Sequence, residues 1–138
     1  MINLGTRGDK FCVSLGPFNS ASLPGSVWLW VAPVGCKLLQ ITEIHGAAAA
    51  TATLGIRKFT VDGSAPGTAA NGTTIVELLT SSTVLNLASA ALNTTVVVPL
   101  STVKGALIIP SGARIGALMT GSPASLTGCS IVMTFRHG

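Results

Sequence analysis

The chain has 138 residues, of which eight are Lys or Arg and four are Asp or Glu. Charged residues therefore make up 9% of the sequence, whereas a typical soluble domain contains about 25%. The basic residues form no run and aromatic residues make up only 4%, which argues against the basic stripe and stacking aromatics of nucleic-acid-binding proteins. So few charges indicate that much of the surface contacts other protein chains; the alternative is a Thr- and Ser-rich β domain that is soluble without charge.

Residues 1–25 are predicted to form an N-terminal arm. Isolated apolar residues are mixed with Gly, Ser, Pro and Asn, and only Phe11, Val13 and Leu15 alternate as in a short strand. A disordered terminus is the alternative, but the apolar side chains favour an extended arm that orders against a neighbouring subunit. The residues expected to make the arm's contacts are Ile2, Leu4, Arg7, Lys10, Phe11 and Phe18.

No segment suggests secretion or insertion in a membrane. The first ten residues lack the apolar core of a signal peptide, and the apolar run Val27 to Ala32 is too short to span a bilayer. We therefore expect a soluble chain that is not secreted and has no membrane partner.

Residues 26–138 are predicted to form a single β domain. Its first strand, Ser26 to Ala32, carries Trp28 and Trp30 on one face and Val27 among the apolar residues on the other. A strand that is apolar on both faces is buried twice, by its own core and by another subunit, or else in a corner of the domain. Trp28 and Trp30 are therefore the residues that we expect to pack between subunits.

Two further strands follow. Lys37 to His45 places Leu39, Ile41, Glu43 and His45 on one face. In Thr51 to Val61 the apolar residues change parity near Arg57 and Lys58, which predicts a β-bulge that would return them to one face. A turn-rich loop from Asp62 to Gly72 follows.

The C-terminal stretch, Leu107 to Arg136, is predicted to be the scaffold of the domain. It reads as three strands, and in the last of them Ile131, Met133 and Phe135 alternate with polar residues, which is typical of a strand with one buried face. With strands at Thr73 to Thr80 and Thr94 to Leu100, about eight strands separated by turns indicate an all-β, single-domain antiparallel sandwich or barrel.

The sequence contains no recognisable catalytic or metal-binding constellation. His45 is expected to be a strand-end residue, the four carboxylates form no close pair, and no Gly-x-Ser-x-Gly elbow is present. The cysteines Cys12, Cys36 and Cys129 are widely spaced, so free thiols are expected, although a Cys36–Cys129 bridge is also open. We therefore expect neither an enzyme nor a cofactor.

One succession of strand and turn residues is similar to that of a known family. It comprises Val31–Leu38, Gly46, Ala47, Pro66-Gly67, Leu107–Gly116 and Thr120-Gly121. The second long stretch contains the pattern Ser-Gly-x-Arg-Ile-Gly, and a terminal strand of Val, Met and Phe follows it. Over about Val27 to Arg136 the chain resembles the head decoration, or cement, proteins of tailed bacteriophages. The resemblance implies a jelly-roll-like β-sandwich that clusters, commonly as trimers, on the outside of the expanded capsid, with no catalytic residues.

The resulting hypothesis is a virion structural protein that binds the major capsid protein and itself on the exterior of a mature phage head, after synthesis in the host cytoplasm. In this hypothesis Arg7 and Lys10 meet an acidic capsid surface. The alternative is a carbohydrate-binding or host-adhesion β-sandwich module of a tail or fibre, for which Trp28 and Trp30 are the only aromatic candidates for stacking on a sugar, although we expect both to be buried.

Overall fold

The computed structural model describes residues 8–23 and 25–138, and within these ranges the chain forms ten β-strands and no helix. In chain order the strands are β1 Lys10–Phe18, β2 Val27–Val31, β3 Cys36–Ile44, β4 Thr53–Phe59, β5 Ile75–Glu77, β6 Leu85–Asn86, β7 Val96–Val97, β8 Ile108–Ile109, β9 Arg114–Thr120 and β10 Cys129–His137. Sheet 1 has the order β1-β10-β3-β7, with β8 also paired to β3. Sheet 2 has the order β2-β9-β4-β5, with β6 also paired to β4. The predicted all-β antiparallel sandwich is thereby confirmed.

The strands pair in a nested order. The first described strand, β1, pairs with the last, β10, and β2 pairs with β9, so the first two and the last two strands run side by side, one pair in each sheet. Every pairing is antiparallel. The jelly-roll character implied by the family resemblance stays a prediction.

The core lies between the sheets and is built on β10. Ile131, Met133 and Phe135 are fully buried on its inner face, as their alternation predicted. The Phe135 ring lies 4.7 Å from the Trp30 ring and 5.4 Å from the Phe11 ring, measured between centroids. Since Trp30 belongs to sheet 2 and the two phenylalanines to sheet 1, this aromatic cluster joins the sheets.

The predicted arm is corrected over the part that the structure describes. Residues 10–18 are β1, an edge strand of the chain's own sheet 1, hydrogen-bonded to β10 from Lys10 opposite Arg136 to Phe18 opposite Cys129. Phe11 is buried in the chain's own core, and Phe18 packs against it. The alternation of Phe11, Val13 and Leu15, which predicted a short strand, correctly indicated that this segment belongs to the sandwich. Ile2, Leu4 and Arg7 lie outside the described residues.

A bulge in β2 separates the two tryptophans. Trp28 is opposite Gly116 and Trp30 is opposite Ile115, so Leu29 is the additional residue. Trp30 therefore points into the core, while Trp28 lies on the outer face of sheet 2 with 41% of its surface exposed. The prediction that both indoles share one buried face is wrong, because it assumed an unbroken two-residue period.

A second bulge lies at Leu39 in β3. As a result Leu38, rather than Leu39, joins Ile41 and Glu43 on the inner face of sheet 1.

The bulge predicted in β4 is absent. Its pairing with β9 is regular from Thr53 opposite Thr120 to Phe59 opposite Arg114, so Phe59 lies on the face opposite to Ile56. Phe59 is nevertheless fully buried, because part of the outer face of sheet 2 is also covered. The change of parity in the sequence therefore marks a second apolar cluster and not a bulge.

Replacing Phe135 by alanine should lower the free energy of unfolding by about 3–5 kcal/mol, because the change opens a cavity where the two sheets meet. Urea denaturation would measure this loss. The control is Val97→Ala on the exposed strand β7, which should change the free energy by less than about 0.5 kcal/mol. Equal effects of the two substitutions would contradict the role assigned to the aromatic cluster.

Candidate interaction surface

The two sheets differ in what covers their outer faces. On sheet 2, the loop of residues 60–74 folds back over β9 and β2. A Cβ atom added to Gly116 would lie 3.1 Å from both Phe59 Cε1 and Trp28 Cε3 and 3.2 Å from Pro66 Cβ. Gly116 therefore permits the loop and the two rings to pack directly on the backbone of β9.

The charged groups on the outer face of sheet 2 are paired. Arg57 Nη2 lies 3.0 Å from Glu77 Oε2 across β4 and β5, and both side chains are largely buried. Burial raises the pKa of Glu77, and the nearby Arg57 guanidinium opposes that rise. Arg114 Nε lies 3.5 Å from Asp62 Oδ1, and its guanidinium carbon is 4.6 Å from the centre of the Trp28 ring. Each of these cations thus has a carboxylate of the same chain beside it, while Arg57 Nε and Nη1 have no hydrogen-bond partner among the described residues.

The outer face of sheet 1 is open. Its exposed side chains are small, polar or aliphatic, and Val97 on β7 is 58% exposed. The outward positions of β1, β10, β3 and β7 that lie beyond the first row of the sheet carry no charge, and they are Cys12, Ser14, Ser130, Val132, Thr134, Gln40, Thr42, Ile44 and Val97. We call this set, together with the row described next, the sheet 1 face.

The first row of the sheet 1 face is basic. Lys10 on β1 is paired with Arg136 on β10, and Arg136 is paired with Lys37 on β3. Ile108 on β8 continues the row beside Lys37 and is 57% exposed. All three cations are exposed. Like charges on directly opposed residues destabilise a sheet, so this basic row is a feature that packing alone does not explain.

Asp9, the residue before Lys10, brings one negative charge to the end of the molecule that carries the basic row, and Lys104 brings one further positive charge, so this end stays positive overall. Lys104 and Lys37 line the same depression of about 250 Å³ beside β8. Lys58 is held elsewhere: its ammonium donates hydrogen bonds to the carbonyls of Gly105 at 3.0 Å and Ile108 at 2.6 Å. Burial lowers the pKa of Lys58, and its contacts tie β4 of sheet 2 to β8 of sheet 1.

The structure places the predicted site residues in different parts of the sandwich. Lys10 lies in the basic row, Phe11 and Trp30 are core residues, Phe18 is half-buried at the edge, and Trp28 is exposed on sheet 2. Sequence reasoning missed Lys37 and Arg136 as partners of Lys10. The alternation of β10 placed Arg136 on the outer face, but only the pairing of β1, β10 and β3 brings the three positions together.

A buried polar cluster lies at the opposite end of β3. Glu43 Oε2 is 2.9 Å from His45 Nδ1 and 3.5 Å from Cys129 Sγ, and all three residues are at most 1% exposed. His45 follows β3, as predicted, and its Nε2 atom has no hydrogen-bond partner among the described residues. The carboxylate thus lies between the imidazole and the thiol, whereas an activated cysteine needs the imidazole beside the sulfur.

The state of the cysteines agrees with a structural role. All three are free, and Cys36 and Cys129 lie towards opposite ends of β10, which removes the possible bridge. Desolvation, together with the Glu43 carboxylate, raises the pKa of Cys129 to about 12, and burial raises that of Cys36 to about 11. The thiolate, which is the nucleophilic form, is therefore disfavoured at both positions.

Neither a metal-binding cluster nor a membrane-spanning helix is present among the described residues. No group of three or more His, Cys, Asp or Glu side chains in residues 8–23 and 25–138 could hold a metal ion. In the same part of the chain, no helix is long and apolar enough to cross a bilayer. The expectations that the protein is not an enzyme and needs no cofactor stay predictions.

Comparison of the chain with family models, with curated proteins and with solved structures found no match. The resemblance to head decoration proteins therefore stays a prediction.

Stability should fall as the pH rises from 9 towards 12. Cys36 and Cys129 ionise near pH 9 in the unfolded chain but only near 11 and 12 in the folded one, so each should contribute a slope of about 1.4 kcal/mol per pH unit between its two pKa values. Denaturation at a series of pH values would measure it. The variant with Cys36→Ala and Cys129→Ala should show a shallower decline. Lys58, whose pKa is lowered by burial and therefore acts with the opposite sign, is present in both proteins.

Proposed function

We propose that the chain is a virion structural protein that binds the outside of a mature bacteriophage capsid and stabilises it. The observation that carries the proposal is the sheet 1 face, which is four strands wide, open and uncharged beyond its first row. A contact area of this kind, on a chain in which 9% of residues are charged, is typical of a surface that meets other proteins. The resemblance of Val27 to Arg136 to head decoration proteins supports the same function.

The nested order of strands supports the finer assignment of a jelly roll. β1 pairs with β10 in one sheet and β2 pairs with β9 in the other, so antiparallel pairs of distant strands are divided between two four-stranded paths, as in a jelly roll. Such a sandwich offers two edges and two outer faces for contacts with neighbours.

In this proposal the protein holds neighbouring capsid subunits together. A subunit that binds the assembled shell, and not its separate parts, stabilises the shell by mass action. A homo-oligomer, of which the trimer is the form implied by the resemblance, would bind with several copies of one interface and gain avidity.

Subunits are proposed to contact each other at β2. This strand is an edge of sheet 2, and it exposes Trp28 and Val31, the latter by 57%. Trp30 supports the contact from behind because its ring packs on Phe135. The arm contacts proposed for Ile2, Leu4 and Arg7 concern the residues before β1, since Lys10–Phe18 belong to the sandwich.

The purified protein should bind expanded heads of the phage that carries it and raise their melting temperature, whereas it should not bind unexpanded proheads. Cosedimentation and calorimetry of the heads would measure both effects. A variant lacking residues 1–7 should bind less while retaining its own unfolding transition, because β1 is intact. A copy number of a few per virion, or a lone monomer at high concentration, would contradict the proposal.

The second candidate, a carbohydrate-binding or host-adhesion module, is favoured by one observation. Trp28 is exposed on a face of the sandwich, where an indole could stack on a sugar. The Trp28 ring, however, already has two partners. The guanidinium carbon of Arg114 lies 4.6 Å from its centre, and the Phe59 ring packs edge-to-face with it at 4.9 Å between centroids.

Under the decoration proposal, glycans should leave the fluorescence of Trp28 unchanged. Titration of the Trp30→Phe variant, in which Trp28 is the remaining indole, would measure this. A saturable shift or quench that disappears in the corresponding Trp28→Phe variant would instead establish the carbohydrate-binding function.

A further inference from the structure

The sheet 1 face combines a basic row with an uncharged, partly apolar surface, and we propose that it docks onto an acidic surface of a different protein. Lys10, Arg136 and Lys37 would contact carboxylates of that partner, while the neutral rows beside them would pack against its less polar residues. The inference rests on the proposed function only for the identity of the partner, the capsid; the chemistry of the contact follows from the face itself.

The alignment of the three cations is the first argument. They are separated widely in sequence but are placed side by side by the register of three neighbouring strands. With strands about 4.8 Å apart, the row spans roughly 10 Å, which suits a short series of carboxylates on one partner element. Three of the eight basic residues of a charge-poor chain are thus concentrated at one end of its open face.

A second copy of the chain offers no row of carboxylates that would match the three cations. Of its four carboxylates, Glu43 is buried, Glu77 is paired with Arg57, and Asp62 lies beside Arg114. The fourth, Asp9, immediately precedes Lys10 and so belongs to the same end of the molecule. Two copies brought together through this face would therefore place each basic row against the other copy's basic row or against its uncharged rows, but not against a row of carboxylates. This points to a different chain as the occupant.

The surroundings of the basic row favour a protein over a nucleic acid. Ile108 extends the row and Val97 lies two rows away, each more than half exposed. The chain's two Trp and four Phe residues all lie in the core, at its edge or on sheet 2, so no aromatic side chain on this face could stack on a base. Aliphatic groups beside a short cationic row match a protein interface with a polar rim.

The test compares two variants with the same change in net charge. In the row variant, Lys37→Gln and Arg136→Gln remove two positive charges from the face. In the control, Ser89→Glu and Ala91→Glu add two negative charges at exposed positions. These positions lie near the opposite end of β3, because the backbone amide of the nearby Asn93 donates a hydrogen bond to the carbonyl of His45. Circular dichroism and thermal unfolding would verify that both variants are folded.

The probes are fluorescent poly-L-glutamate and a short DNA duplex, with binding followed by anisotropy. The row variant should bind poly-L-glutamate roughly 3- to 30-fold more weakly than the wild type, as expected for the loss of two surface ion pairs, and the control should lose much less. Bound poly-L-glutamate should also slow maleimide labelling of Cys12, which is exposed one row from Lys10, whereas Cys36 and Cys129 are buried.

Equal weakening in both variants, or none in the row variant, would overturn the inference. Tighter binding of the duplex than of poly-L-glutamate through the same residues would overturn the choice of a protein as occupant. Expanded heads separate this inference from the proposed function. Wild type and row variant binding heads equally would refute the docking face but not decoration; binding of poly-L-glutamate through the row without binding of heads would do the reverse.

Discussion

The molecule depends on the hydrogen-bonded register of β10 with its neighbours β1 and β3. On the inner side this register brings Phe135 against Phe11 and within reach of Trp30, which joins the two sheets. On the outer side the same register aligns Arg136 with Lys10 and Lys37. Because the side chains of a strand alternate between faces, a slip of one residue would exchange core and surface along the whole strand.

The two outer faces of the sandwich differ in how their apolar and charged side chains are covered. Sheet 2 is covered by the chain's own loop, and its buried Arg57 and Glu77 neutralise each other. Such a buried pair contributes little net stability but is costly to break. Sheet 1 has no comparable loop among the described residues and exposes aliphatic side chains such as Val97. This asymmetry is the reason to look for an external partner on one face and not on the other.

Sequence patterns predicted the all-β class and the inner face of β10 because Ile131 and Met133 alternate without interruption. They failed where a strand departs from the two-residue period, as at Leu29, or where both faces are covered, as at Phe59. The two failures have different causes. At Leu29 an additional residue breaks the alternation itself, whereas at Phe59 the alternation is intact but does not report what covers each side of the strand. The basic row was beyond prediction for a different reason, since it requires the pairing of strands that are far apart in the chain.

The nested pairing also bears on how the molecule is made. Among the described residues β1 pairs with a single strand, β10, so a ribosome must synthesise the chain as far as β10 before β1 can dock. Contacts between such distant segments form late, because closing a long loop costs chain entropy. Until then β1 carries Phe11 and Val13 without their burial sites, and the nascent chain has to be kept from aggregating until β10 emerges.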